Sequence, residues 1–209
     1  MIINIHPDNP EPRKINQVIE VLKNDGVIIY PTDTIYGLGC NINSHKAMER
    51  ICAIKKINPE KANLTFVCAD LSNITDYSRP FNTSIYKNMK RCLPGPYTFI
   101  LNANNSLPKL LRNKKKTVGI RVPNSPIVFA LVNGLGTPLL STSIKNLDEE
   151  DDIIEYPTDP YEIHEQYEHL VDLVVDGGYG ENIPSTIIDC TNDEPVLQRA
   201  GLGAWDFES

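Results

Sequence analysis

The most informative segment of the sequence is Tyr30-Pro31-Thr32-Asp33-Thr34-Ile35-Tyr36-Gly37-Leu38-Gly39. It directly follows Val27-Ile28-Ile29, an apolar β-branched run that is typical of a buried strand. Pro31 has no N–H group to offer a central strand ladder, so we expect the strand to end there. The residues that follow are too polar for a buried strand, and they predict a binding turn at the strand end.

The predicted turn is rich in groups that contact ligands. Thr32, Thr34 and Tyr36 carry hydroxyls, each of which can donate and accept a hydrogen bond. Gly37 and Gly39 allow either the close approach of another group or a turn with positive φ. The alternative is an ordinary strand-to-helix loop whose hydroxyls bond to its own backbone. The segment alone leaves both interpretations open.

Length and composition bound the class of protein. The 209 residues, 41% of them hydrophobic, suffice for one compact core, so we expect a single domain over residues 1–209. No apolar run approaches membrane-spanning length, and the N-terminal residues 1–6 lack the features of a signal peptide. The five cysteines are scattered singly, which is typical of reduced thiols. We therefore expect a cytoplasmic protein with no membrane partner, and its oligomeric state stays open.

Charge is distributed very unevenly along the chain. Residues 77–147 contain eleven Lys/Arg and no Asp/Glu, whereas residues 148–209 contain one Lys/Arg and eighteen Asp/Glu. An interval without carboxylates is what a surface for phosphate or nucleic acid needs. The residues predicted to bind double-stranded RNA or tRNA are Lys90, Arg91, Lys109, Arg112, Lys114, Lys115 and Lys116. The alternative is that the acidic third folds against the basic third and cancels its field.

Short β-rich segments alternate with amphipathic ones along the whole chain, which predicts one α/β layer structure. Strands are predicted at 2–5, 27–30, 64–68, 97–101, 117–122, 138–142, 173–175, 186–189 and 195–199. Helices are predicted from residue 12 to about 22, after Ser44 to about 54, at 84–92, at 126–135 and at 161–170. Residues 109–116 are predicted to form a basic helix or turn.

Several common devices of nucleotide and metal sites are absent from the sequence. It contains no phosphate-binding Gly-x-x-x-x-Gly-Lys-Ser/Thr loop, no dinucleotide fingerprint and no zinc pattern, so no metal site is predicted. The four histidines are expected to be exposed to solvent. What remains is a set of hydroxyls and cations at predicted strand ends, where open α/β sheets bind ligands. They include Lys55, Thr117, Arg121, Ser141-Thr142-Ser143, Lys145, Ser185 and Arg199.

Five ordered motifs resemble the YrdC/YciO family over nearly the whole chain. They are residues 31–39, Thr117-Val118-Gly119-Ile120-Arg121-Val122-Pro123, Ser141-Thr142-Ser143, Pro184-Ser185-Thr186-Ile187-Ile188-Asp189 and Arg199-Ala200-Gly201. The segments 97–101 and 115–119 resemble the YciO branch most. The resemblance implies an α/β (mixed α+β) fold in one YrdC-like domain, with a twisted mixed parallel and antiparallel sheet and helices on both faces.

The family resemblance also implies a reaction. The family includes threonylcarbamoyl-AMP synthases, which join L-threonine, bicarbonate and ATP for the t6A modification of tRNA, and members described as binding double-stranded RNA. A threonine-derived carbamate attacks the α-phosphate of ATP, and pyrophosphate leaves. ATP is thus a substrate, expected with Mg²⁺, and no tightly bound cofactor is expected. The implied partners are ATP or AMP, L-threonine, bicarbonate, and tRNA or double-stranded RNA.

The resemblance, with the hydroxyls of the predicted turn, assigns the site residues. The amino-acid substrate is expected to contact Thr32, Thr34, Tyr36, Arg121, Ser141 and Ser185. The nucleotide is expected to contact Lys55, Asn63, Thr117, Ser143 and Arg199. The residues expected to be catalytic are Lys55, Ser143 and Lys145.

The chain departs from the synthase pattern at three positions. A Lys-x-Arg motif is here Lys55-Lys56-Ile57, a Ser-x-Asn motif is Ser143-Ile144-Lys145, and an expected histidine is Val67. Lysine does not reproduce the planar fork with which arginine holds phosphate, and losing such a donor costs on the order of a hundredfold in rate. We therefore expect a nucleotide- and RNA-binding protein with weak or altered synthase activity. The alternative is a non-catalytic RNA-binding protein.

Overall fold

The computed structural model describes residues 1–59, 62, 64–72, 74–104, 116–145 and 156–205. Its strands are β1 (Ile2–Asn4), β2 (Val27–Tyr30), β3 (Gly37–Asn41), β4 (Thr65–Val67), β5 (Tyr97–Asn102), β6 (Thr117–Arg121), β7 (Leu139–Ser143), β8 (Leu173–Asp176), β9 (Thr186–Asp189) and β10 (Val196–Arg199). Its helices are α1 (Pro12–Lys23), α2 (His45–Ile54), α3 (Thr83–Cys92), α4 (Pro126–Leu135) and α5 (Pro160–Tyr167). Within the described ranges, no helix is long and apolar enough to cross a membrane.

The ten strands form one sheet in the order β1-β8-β2-β3-β7-β4-β6-β5-β9-β10. Four neighbouring pairs are parallel, namely β1/β8, β2/β8, β4/β6 and β5/β9, and the other five are antiparallel. The predicted mixed parallel and antiparallel sheet is therefore confirmed. The predicted basic helix or turn at 109–116 lies outside the described residues, apart from Lys116.

Strand β3 corrects the interpretation of the opening segment. It pairs antiparallel with β2 in the register Tyr30↔Gly37, so the connecting turn is confined to residues 31–36. Of the two interpretations of the glycines, the close approach of another group is the correct one. That group is the ring of Tyr30, because a Cβ on Gly39 would lie 2.7 Å from its Cε1. The sequence pattern missed this strand because its two glycines face the tyrosine ring and leave no apolar alternation.

The ends of α2 position one of the predicted site residues. The helix begins after Ser44, whose Oγ accepts a hydrogen bond of 3.1 Å from the Ala47 N–H. At the other end Lys56 adopts a left-handed conformation with φ 52, and the Ile57 N–H donates to the Cys52 carbonyl. This hydrogen bond and the packing of Ile57 against the core are those of a Schellman motif. Lys55 is thereby held at a defined helix end.

The two faces of the sheet are covered differently. One face packs against α2, α3 and α5, through residues that include Leu38, Ile51, Ile85, Phe99 and Ile163. The other face packs against α1 and α4, and this second core centres on β1, β8 and β2, with Ile28 and Leu173 among its members. We call this part the covered half. We call the other part of the same face the open half, and it is formed by β7, β4, β6, β5 and β9. The residues of the open half that border cavities are Thr65, Thr98, Ile100, Gly119, Arg121, Ser141, Ser143, Ile187 and Asp189.

Candidate functional site

Two neighbouring cavities lie on the open half. The first has a volume of about 290 Å³, and its polar lining comprises Tyr36, Thr65, Thr98, Arg121, Ser141, Thr142, Ser143, Ser185 and Arg199. The second has a volume of about 770 Å³ and is lined by Leu64, Thr117, Gly119, Asp189 and Thr191, among others. Thr65, Thr98, Ile187 and Arg199 line both cavities, so the two form one continuous cleft. The volume of the larger cavity falls within the range of small-molecule sites.

Arg121 stands at the end of β6 and is held by the turn between β2 and β3. Its Nη2 donates to Oδ1 of Asp33 at 2.6 Å and to Oγ1 of Thr32 at 3.1 Å, and it also contacts Oγ1 of Thr34. The guanidinium is almost fully buried, yet its Nε has no hydrogen-bond partner within the described part of the chain. A buried donor without a partner is costly, so this guanidinium has hydrogen-bonding capacity that the described protein groups do not use.

Arg199 brings a second guanidinium to the same cavity. The residue lies on the exposed edge strand β10, but its Nη2 turns inward and donates to the Ser185 carbonyl at 2.7 Å. The buried hydroxyls of Ser185 and Thr98 share a hydrogen bond of 2.8 Å beside it. Burial lowers the pKa of Arg199, and the nearby charge of Arg121 lowers it further. An anion bound between the two guanidinium groups would relieve both effects.

Lys55 approaches the end of β7 from α2. Its Nζ donates to the Ser143 carbonyl at 2.8 Å, which places the ammonium beside the wall of the first cavity. Burial lowers the pKa of Lys55, and the charge of Lys145 lowers it further. Lys145 itself is exposed, and Tyr167 donates a hydrogen bond to its backbone carbonyl. Two lysines are thus near each other at this strand end.

Two further hydroxyls of the predicted substrate site are bound to the protein itself. Ser141 Oγ accepts from the Tyr30 hydroxyl at 2.7 Å and donates to the Leu38 carbonyl at 3.2 Å. Tyr36 donates its hydroxyl proton to the Gly178 carbonyl at 2.7 Å. Ser141 and Tyr36 nevertheless line the first cavity. They form part of its wall, although their hydroxyl protons are donated to protein carbonyls.

The structure gathers most of the predicted site residues around one cleft. Tyr36, Arg121, Ser141, Ser143, Ser185 and Arg199 line the first cavity, and Thr117 lines the second. Thr32 and Thr34 contact the guanidinium of Arg121 through their hydroxyls. Lys55 and Lys145 lie at the end of β7. Asn63 lies outside the described residues. Within the described part of the chain, no group of three or more His, Cys, Asp or Glu side chains could hold a metal ion.

The three predicted RNA-binding residues that the structure describes do not lie together. Lys90 and Arg91 are exposed in the last turn of α3, and the nearby Gly95 N–H bonds to the Val122 carbonyl just beyond the end of β6. Lys116 is exposed at the opposite end of β6, and at about 3.3 Å per residue the two ends are roughly 20 Å apart. Lys109, Arg112, Lys114 and Lys115 lie outside the described residues. RNA binding therefore stays a prediction.

Sequence reasoning missed several residues of the cleft. Asp33 was not assigned a role, although it forms the ion pair that holds Arg121. Thr65 and Thr98 line both cavities, and Thr98 could have been found from the alternation of polar and apolar residues along β5. The expectation that all four histidines are exposed is wrong for His164. Its side chain is only 20% exposed because α5 packs it against the protein.

Comparison with known proteins identifies the family. The family model for Sua5, YciO and YrdC proteins, which carries the description telomere recombination, matches residues 20–201. The chain belongs to this family. The resemblance predicted from five motifs is thus confirmed.

Relatives of this family differ in how closely they match the chain. YciO of Escherichia coli is 46% identical over 200 residues, which cover 95% of this chain and 94% of YciO. Its crystal structure matches with a TM-score of 0.88 over 98% of this chain and 97% of that one. Threonylcarbamoyl-AMP synthase of Bacillus subtilis is 32% identical over 190 residues, or 90% of this chain and 53% of the synthase. The chain is therefore more similar to YciO than to this synthase.

A third relative was crystallised with an amino acid. The structure of P. abyssi Sua5 complexed with L-threonine matches with a TM-score of 0.85 at 26% identity. The match covers 96% of this chain and 57% of the Sua5 chain. The fold, including the predicted arrangement of sheet and helices, is therefore shared with both YciO and Sua5.

Proposed function

We propose that the protein binds L-threonine and MgATP in its cleft and forms a threonylcarbamoyl adenylate with altered activity. The observation that carries this proposal is the state of Arg121, a buried guanidinium that lines the cavity and has a donor without a partner. A carboxylate is the group that such a guanidinium binds best. A relative of similar fold is complexed with L-threonine. The carboxylate of L-threonine would supply this partner here.

The nucleotide part of the proposal rests on the surplus of cations. Arg121, Arg199 and Lys55 converge on the first cavity or its wall, and Asp33 neutralises only the first of them. In the proposed reaction, an oxygen of a threonine-derived carbamate bonds to the α-phosphorus of ATP. The bond between that phosphorus and the oxygen bridging to the β-phosphate breaks, and pyrophosphate leaves with the electron pair. Positioning and neutralisation of the phosphate charge supply the catalysis.

The altered activity rests on two residues near Lys55. Ile57, where the synthase motif has arginine, is packed against the core as part of the α2 end and offers no donor. Lys145, where the motif has asparagine, adds a charge that lowers the pKa of Lys55. At the Lys55 end of the proposed site, ammonium groups therefore stand in place of the guanidinium fork of the synthase motif, and we expect slower release of pyrophosphate than in a synthase. A cytoplasmic location is part of this proposal.

The experiment is a calorimetric titration of the wild type and Arg121→Lys with L-threonine, followed by pyrophosphate release with L-threonine, bicarbonate and MgATP. Lysine retains the charge that pairs with Asp33 but loses the planar fork, so we expect L-threonine affinity to fall about 10- to 100-fold. Arg79→Lys is the matched control, because Arg79 is exposed and its Nε bonds to the Ala103 carbonyl outside the cleft. Failure of the wild type to bind L-threonine at millimolar concentration would overturn the proposal.

Binding of double-stranded RNA or tRNA is the second candidate function. It is supported by the exposure of Lys90, Arg91 and Lys116 in a chain interval without carboxylates. Affinity should fall steeply with salt, because phosphate contacts release counterions. Affinity that is absent at low salt, or independent of salt, would contradict this candidate and leave the adenylate-forming proposal untouched.

A further inference from the structure

The larger cavity carries a positive charge at one end and a negative charge at the other. Arg199 lies where the larger cavity joins the first cavity. Asp189 is the last residue of β9 and lies farther from this junction. Across the β9/β10 ladder Arg199 pairs with Ile187 and Val196 pairs with Asp189, so the carboxylate is two residues, or about 7 Å, farther along the strand. The cleft therefore runs from a cationic end to an anionic end.

This polarity orients a nucleotide. A triphosphate is attracted to Arg121, Arg199 and Lys55 and repelled by Asp189. The nucleoside must then lie in the larger cavity, whose wall includes the apolar side chains of Leu64, Ile100 and Ile187. A flat base suits such a wall, and the carboxylate is left for a neutral group that donates hydrogen bonds.

The Asp189 carboxylate is already oriented by its own loop. Its Oδ1 accepts hydrogen bonds from the Thr191 N–H at 2.9 Å and from the Thr191 hydroxyl at 2.6 Å. Among the described residues both of these bonds end on Oδ1, which leaves Oδ2 to accept from a ligand. Asp189 lines the cavity wall together with Thr191, so a ligand in the cavity can reach it.

We infer that Asp189 binds the ribose hydroxyls of the nucleotide and makes the site selective for ribonucleotides over deoxyribonucleotides. The ribose adjoins the phosphates, and its 2′ and 3′ hydroxyls are two neighbouring donors that one carboxylate accepts. The inference rests on the proposed function, because it requires ATP to bind in this cleft. Asp189 is a specificity-determining residue in this account, and it takes no part in the attack on the α-phosphate.

The test compares calorimetric affinities for ATP, 2′-deoxy-ATP and inosine triphosphate. A hydrogen bond to a charged group predicts that the wild type binds ATP at least about tenfold more tightly than 2′-deoxy-ATP. Asp189→Ala should reduce this ratio to near one. Asp189→Asn keeps an oxygen for Thr191 and should lower the ratio without disturbing the loop. Asp193→Asn is the matched control, since Asp193 is exposed on the same loop and should keep the wild-type ratio.

The outcomes separate this inference from the proposed function. L-threonine affinity, measured on the same samples, should be unchanged in all variants and shows that the cleft is folded. Equal affinity of the wild type for ATP and 2′-deoxy-ATP overturns the inference alone, as does a ratio that survives Asp189→Ala. Discrimination only against inosine triphosphate would assign the carboxylate to the base amino group and overturn the ribose assignment. Failure of ATP to bind would overturn the proposed function together with the inference.

Discussion

The covered half and the open half are two regions of one sheet face with opposite properties. In the covered half, Ile28, Leu173 and Val175 are fully buried under α1 and α4. In the open half, the equivalent positions carry Thr98, Ser141 and Arg121, and they border a cleft. The strands of both halves bury apolar side chains on the opposite face, in the core of α2, α3 and α5. The comparison shows that one face of a sheet can carry a packed core at one end and an open, polar cleft at the other.

The two halves meet at Tyr30. Its ring belongs to the covered core, while its hydroxyl donates to Ser141 Oγ of the open half at 2.7 Å. Burial raises the pKa of Tyr30 to about 12, so the phenol is neutral and keeps its proton for this bond at physiological pH. Gly37 and Gly39 make room for the ring between the halves.

The largest expected effect tests whether stability resides in the covered half. Leu173→Ala removes a fully buried side chain and should lower the free energy of unfolding by about 2–5 kcal/mol. Ile100→Ala is the matched change in the open half, where the partly exposed side chain already borders the cavity, and it should cost at most about 1 kcal/mol. Urea unfolding followed by circular dichroism measures both. Equal costs would abolish the distinction between the halves.

The second effect tests the open half as an anion site through its pH dependence. The pKa of Lys55 is lowered in the free protein, and a bound anion should raise it again, so binding takes up a proton once Lys55 is neutral. Affinity for inorganic pyrophosphate should therefore be highest at pH values below the pKa of Lys55 in the free protein. It should fall about tenfold or more as the pH rises through that pKa.

Calorimetry between pH 7 and 10.5 measures this decline, which should begin below the 10.5 of an ordinary lysine. Lys55→Arg is the control, because a guanidinium stays charged over the whole range. An equally steep decline in this variant would show that another group is responsible.

The smallest effect tests the junction between the halves. Tyr30→Phe removes the hydroxyl that donates to Ser141 and should lower the free energy of unfolding by about 0.5–1.5 kcal/mol. Ser141 keeps its bond to the Leu38 carbonyl, so L-threonine affinity should change by less than about threefold. Urea unfolding and calorimetry on one preparation provide both values. A large loss of affinity with no loss of stability would place Tyr30 in the binding site instead of at the junction.

Much of the fold could be predicted because most elements have strong local signals. The strand Val27–Tyr30, which begins with three β-branched residues, and the helix Pro126–Leu135 were predicted with the bounds that the structure has. Strand β3 could not be predicted, because its glycines serve a contact with Tyr30 that only the tertiary structure creates. The role of Asp33 was hidden for the same reason, since its partner Arg121 is 88 residues away along the chain.

The end of α2 links the stability of the fold to its proposed chemistry. Ile57 is an apolar anchor for the helix end, and it occupies the position at which the synthase motif has an arginine. Under the proposed function, exchanging Ile57 for arginine would give the phosphate a planar guanidinium partner, and it would replace the apolar contact at the helix end with a charged side chain. The residue that anchors the end of α2 is thus the same residue that distinguishes this chain from the synthase motif, so stability and phosphate chemistry are coupled at one position.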